Sequence, residues 1–119
     1  MRFARYSASS FWQVFTIVSC LVSPAMADDA EFTIHFTNDG FSPNTLEVPA
    51  GARIKIVLVN TSKGAVEFES LQLRKEKVLG PGATSFLVIR NLAPGRYEFF
   101  DDFHPSLSKA TLIAKEFSK

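Results

Sequence analysis

Leu92-Ala93-Pro94-Gly95-Arg96-Tyr97-Glu98-Phe99-Phe100-Asp101-Asp102-Phe103-His104-Pro105 joins a turn signal to a concentration of chemistry-bearing side chains. Pro94-Gly95 marks a turn, because proline presets φ near −65° and glycine tolerates positive φ. The residues from Arg96 to Asp101 then read as a strand. It delivers two carboxylates, Asp101 and Asp102, between Phe100 and Phe103, and an imidazole, His104, directly after them. Carboxylate oxygens with an imidazole nitrogen suit Fe(II), Fe(III), Mn(II), Zn(II) or Cu(II), and they disfavour Cu(I), which prefers sulfur. The bland alternative is a solvated turn in which Asp101 and Asp102 cap backbone N–H groups.

Working outward from this stretch, the chain reads as strands separated by breakers. In Glu31-Phe32-Thr33-Ile34-His35-Phe36-Thr37 apolar residues fall at every second position, the period of a half-buried strand. Asn38-Asp39-Gly40 ends it with turn chemistry. Thr45 to Val48 follows Phe41-Ser42-Pro43-Asn44 and precedes Pro49-Ala50-Gly51. Arg53 to Asn60 puts Ile54, Ile56 and Leu58 on one face, then adds Val57 and Val59 on the other, which predicts a strand buried on both sides at one end. Ala65 to Leu71, Thr84 to Arg90 and Lys109 to Lys115 complete the set around Gly80-Pro81-Gly82 and Ala93-Pro94-Gly95. No window of helical length shows a helical repeat. Short strands at regular spacing predict an all-β, antiparallel sandwich.

The first residues read differently. Arg2 and Arg5 precede an apolar run from Phe11 to Val22, and Ala25-Met26-Ala27 supplies the small-x-small pattern that signal peptidase reads. The run is shorter than the roughly 20 apolar residues of a membrane-spanning helix. Residues 1–27 are therefore expected to be a cleavable export signal and residues 28–119 a single domain, placing the protein in the periplasm. Ile17-Val18-Ser19-Cys20 leaves open a lipoprotein anchored at Cys20. Without residues 1–27 the chain holds no Cys, Met or Trp, and its formal charge moves from +1 to −1. Disulfide-linked partners are then excluded, and no basic cluster supplies an electrostatic footprint for nucleic acid. Two histidines, with no Cys and no Gly-rich phosphate loop, leave hydrolase and nucleotide-binding readings without residues to carry them.

The order of the breakers carries a resemblance. Phe41-Ser42-Pro43, Pro49-Ala50-Gly51, Val59-Asn60, Gly82 and Leu92-Ala93-Pro94-Gly95-Arg96-Tyr97 resemble the framework of the cupredoxins, which implies a Greek-key β-sandwich of about seven to eight strands. In that family a strand ending in Asn leads to the first ligand histidine, and the Pro-Gly-x-Tyr turn leads to a cysteine, a second histidine and often a methionine. Here Glu67 stands a few residues after Asn60, Asp101 occupies the cysteine position, His104 fits the second histidine, and no methionine follows. A blue-copper centre needs a thiolate and usually a weak axial thioether, so blue-copper electron transfer is excluded for residues 28–119.

Glu67-Phe68-Glu69-Ser70, Arg74-Lys75-Glu76-Lys77 and Phe100-Asp101-Asp102-Phe103-His104-Pro105 are similar to the small periplasmic cupredoxin-like components of bacterial ferrous-iron uptake. That resemblance implies a metal ion, iron or copper, and partners in a membrane iron permease complex and a periplasmic iron-binding protein. The expected ligands are Glu67, Asp101 and His104, with Asp102 and Glu69 in support. Glu69 also fits a plain polar strand face, His35 shares its face with Thr33 and reads as solvated, and Glu76 sits in a surface charge mix. Three readings follow: a metal-binding accessory of iron uptake, a ferroxidase on the same site, and a metal-free adaptor that docks on a membrane complex.

Overall fold

The computed structural model describes residues 30–116 and, before them, Ser19. The expected export signal and Cys20 therefore lie, Ser19 apart, outside the described residues. Nine strands follow in order: β1 Ala30–Thr37, β2 Gly40–Ser42, β3 Thr45–Pro49, β4 Ile54–Asn60, β5 Val66–Ser70, β6 Lys75–Leu79, β7 Thr84–Ile89, β8 Gly95–Asp101 and β9 Ala110–Lys115. The described chain is all-β, as the spacing of breakers predicts. β2 and β6 are additions to the seven strands that periodicity marks. β2 is three residues inside what reads as a turn, and Lys75-Glu76-Lys77 has too few apolar residues to advertise a strand.

The strands form a four-stranded sheet, β2-β1-β4-β7, and a five-stranded sheet, β3-β9-β8-β5-β6. Both are mixed rather than purely antiparallel. β1 runs parallel to β4, with Ala30 opposite Ile54, and β3 runs parallel to β9, with Leu46 opposite Leu112. Parallel neighbours need a long crossover, and here β3 lies in the opposite sheet between β1 and β4 in sequence. Gly51, with φ 73°, makes the turn that sends the chain back into β4, and its N–H donates to the Leu92 carbonyl at 2.8 Å.

Alternation sets the core. Ile34 and Phe36 of β1, Ile54, Ile56 and Leu58 of β4, and Leu87 and Ile89 of β7 face Val48, Val66, Phe68, Leu79, Phe99 and Leu112 from the other sheet. Phe36 meets Phe41 edge-on at 4.8 Å, Phe41 meets Phe99 at 5.0 Å, and Phe99 stacks on Phe68 at 5.2 Å. This aromatic chain ties one sheet to the other, and burying each of the fully enclosed rings contributes about 1.5–3 kcal/mol. Phe86 points outward instead, 52% exposed under the Lys55 ammonium. Val57 and Val59 are half-buried on the outer face of β4, so that strand is enclosed on one side rather than two.

At the far end of β4, Asn60 is fully buried. Its Nδ2 donates to the carbonyls of Gly64, Leu79 and Gly80 at 2.8, 3.2 and 2.9 Å, and its Oδ1 accepts from Ser62 N–H and Oγ–H. One side chain thus fixes the β4–β5 loop against the β6–β7 turn, where the candidate site begins.

Candidate metal centre

β5 and β8 are neighbours in the five-stranded sheet, with Phe68 opposite Asp101 and Glu69 opposite Phe100. Period-two alternation then decides which side chains go where. Val66, Phe68, Phe99 and Asp101 turn inward, while Glu67, Glu69 and Phe100 turn outward. The five residues singled out from sequence accordingly fall into two groups.

The inward group is Asp101 and His104. Asp101 is 5% exposed, and its carboxylate is fully engaged. Oδ1 accepts from the N–H groups of Glu67 at 3.0 Å and Phe103 at 3.1 Å, while Oδ2 lies 2.7 Å from His104 Nδ1. An ionised carboxylate only accepts hydrogen bonds, so Nδ1 is the donor and the neutral ring keeps its lone pair on Nε2. Asp101 also folds the loop through its carbonyl, which accepts from His104 N–H at 3.1 Å. His104, with its side chain 44% exposed, borders a cavity of about 190 Å³ together with Thr37, Asn38, Ser62, Gly64 and Leu107. A histidine oriented by a carboxylate through one nitrogen presents the other as a directed ligand.

The outward group is Glu67, Glu69 and Asp102. Each offers a carboxylate oxygen, and these oxygens lie within 4.8 Å of one another. Asp102 is exposed and the two glutamates are half-buried. Its N–H donates to the Glu67 carbonyl at 3.0 Å, so the hydrogen-bond ladder continues past the end of β8 and carries Asp102 to its place beside Glu67. Both glutamates titrate above the usual 4.5. Lost hydration is the leading cause for each, followed by the negative charge of Asp102. Glu76, directly opposite Glu69 on β6, adds further repulsion. A patch of carboxylates held this close favours either bound protons or a bound cation.

The remaining expectations resolve simply. His35 is exposed, and Glu76 is exposed on the outer face of the sheet edge. Phe103 is 47% exposed and so gives the loop partial cover only. Sequence alone does not reveal the support from β8 and the residue just before β9: Lys109 pairs with Glu98 at 3.0 Å and lies 5.5 Å from the Phe100 ring centre, holding that outward ring beside Glu69. Nor does it reveal the Asn38 and Ser62 loops around His104, which are joined by Lys63 N–H donating to Asn38 Oδ1 at 3.1 Å.

A family profile described as a cupredoxin-like domain matches residues 10–114. An uncharacterized protein of Rickettsia prowazekii (strain Madrid E) is 33% identical over 86 residues, covering 72% of this chain and 69% of that protein. Among solved structures, a purple cupredoxin from Nitrosopumilus maritimus aligns with a TM-score of 0.53 at 19% identity, over 73% of this chain and all of that one (100%). Dithionite-reduced auracyanin from Roseiflexus castenholzii gives 0.58 at 16% identity, over 74% and 98% of the two chains. Auracyanin B gives 0.62 at 14%, over 74% and 91%. At these identities the likeness to solved structures concerns the fold.

Proposed function

We propose, from the premise that this chain belongs to the cupredoxin-like family, that it is a metal-binding accessory of ferrous-iron uptake, taking iron as cargo in the periplasm and passing it toward a membrane iron permease. The family's copper centre does not fit the residues present. Residues 28–119 contain no sulfur donor, and the Asp101 carboxylate, at the position of the family's cysteine, is already engaged by two backbone N–H groups and His104. What fits instead is a hard cation. The observation that carries the reading is the convergence of Glu67, Glu69 and Asp102 oxygens within 4.8 Å. Oxygen donors match Fe(II) and Fe(III), and the negative charge favours the more highly charged ion. Asp101 orients His104, whose Nε2 is the available nitrogen donor beside this loop.

The test is anaerobic loading of the purified protein with Fe(II), followed by elemental analysis. About one equivalent is expected to remain bound, and it is expected to be lost from the E67Q/E69Q/D102N variant while the β-rich circular dichroism is retained. Equal iron content in the wild type and that folded variant overturns the reading. Oxidation of Fe(II) faster than in buffer, measured with oxygen admitted, would assign a ferroxidase step in addition to binding. No uptake of any metal would favour the adaptor.

A further inference from the structure

The end of the sandwich away from His104 carries a second and larger feature. A cavity of about 490 Å³ opens among Arg53 before β4, Gln72 and Lys75 around the β5–β6 turn, and Arg90 after β7. Asn60 and His104 belong to the other end of the strands, and β4 alone separates the two ends by about 20 Å at 3.3 Å per residue. The floor is apolar, formed by Leu73, Ile89 and Leu92, and no acidic side chain lines the cavity. Two cationic side chains, Lys75 and Arg90, thus border it with no acidic residue in its walls. Lys75 and Arg90 have no acidic partner among the described residues, in contrast to Lys55, Lys109 and Lys115, which pair with Glu31, Glu98 and Glu47.

The walls are also built rigidly and at some conformational cost. Gln72 is fixed at both ends, its Nε2 donating to the Arg96 carbonyl at 3.4 Å and its Oε1 accepting from Glu98 N–H at 2.7 Å. The two non-glycine residues with positive φ among those described, Arg74 at 53° and Asn91 at 54°, flank the cavity, one beside Lys75 and the other between Arg90 and Leu92. Asparagine adopts that region readily, but for arginine it carries strain, and strain of this kind gathers at ligand-binding segments.

We infer that this cavity is a binding site for a small multivalent oxyanion, a phosphate or a di- or tricarboxylate, held by Lys75 and Arg90 over an apolar floor. Guanidinium and ammonium groups at a low-charge wall are the donors that recognise such oxygens. The apolar floor suits the carbon skeleton of a carboxylate. The inference is independent of the metal reading, since none of its residues belongs to the carboxylate cluster or the His104 loop.

Nuclear magnetic resonance titration of the purified protein with inorganic pyrophosphate and, separately, citrate tests it. Saturable shifts confined to the amides of Gln72, Lys75, Arg90 and their neighbours are expected, and whichever anion binds tighter names the source. K75Q/R90Q is expected to lower affinity about tenfold or more. K109Q/K115Q changes net charge equally outside the cavity and is expected to leave affinity within about twofold, as exposed, screened charges do. Shifts spread over all lysines and arginines, equal loss in both double variants, or binding to anionic phosphatidylglycerol vesicles without binding of either free anion would each overturn the inference.

Discussion

Asp101 Oδ2 and His104 Nδ1 lie 2.7 Å apart, and this contact sets the tautomer and direction of the imidazole. The acid is almost entirely buried while the histidine side chain is 44% exposed. The buried partner therefore holds the exposed one, and the loop from Asp102 to Leu107 is built around that anchor.

Replacing Asp101 with Asn is expected to cost about 1–3 kcal/mol, because one carboxylate oxygen becomes an amide donor facing either two N–H groups or a ring N–H. Denaturant unfolding measures this loss. His104→Ala is expected to cost less, and long-range ¹⁵N correlation spectra should show neutral His104 protonated at Nδ1 in the wild type. Protonation at Nε2 would contradict the geometry.

The carboxylate cluster gives a pH dependence with a defined sign. Glu67 and Glu69 have folded-state pKa values above 4.5. For a raised pKa the associated stability is fully present below the unfolded value and is lost as pH rises through the folded value. Metal-free protein should therefore lose stability with rising pH in the window just above 4.5. Glu67→Gln is expected to raise the melting temperature at pH 7 and to have little effect at pH 4. An equal effect at both values would show that ionisation of Glu67, opposed first by lost hydration and then by the charge of Asp102, is not the cause.

Copper offers a spectroscopic check. Protein lacking residues 1–27 contains no thiolate, so added Cu(II) is expected to give only weak ligand-field absorption and none of the intense visible charge transfer of a copper–thiolate bond. An intense visible band from that protein would contradict the donor set.

Asn60→Ala is expected to be among the most damaging single changes at this end of the fold. It takes the Asn60 amide from the Leu79 carbonyl and the Ser62 N–H, and from the Gly80 carbonyl, which keeps only Ala83 N–H, at a cost on the order of 3 kcal/mol. Thermal and denaturant unfolding of the variant measure it directly. A loss below about 0.5 kcal/mol, the range of an ordinary surface substitution, would show that these groups find water instead.

Much of this arrangement is legible in the sequence. Alternation in Ile54-Lys55-Ile56-Val57-Leu58 and the Pro94-Gly95 turn locate strands whose observed bounds differ by a residue or so. Alternation also places Glu67 and Glu69 on one face. The division of labour between Asp101 and Asp102 is not legible there. Adjacent aspartates look alike in a string, and only the pleat sends one inward to bind backbone N–H groups and the other outward to the glutamates. The parallel pairing of β1 with β4 is equally hidden, since period two fixes the face of a strand but not its neighbour.

The position of β9 between β3 and β8 also orders events in time. β3, whose one neighbour in the sheet is β9, waits for residues 110–115 although it is available some sixty residues earlier, whereas β8 already has β5 beside it. Contacts of such long sequence separation form late and slowly. The five-stranded sheet is thus completed by the last of its strands in chain order, and the edges of β3 and β8 that receive it stay open until then.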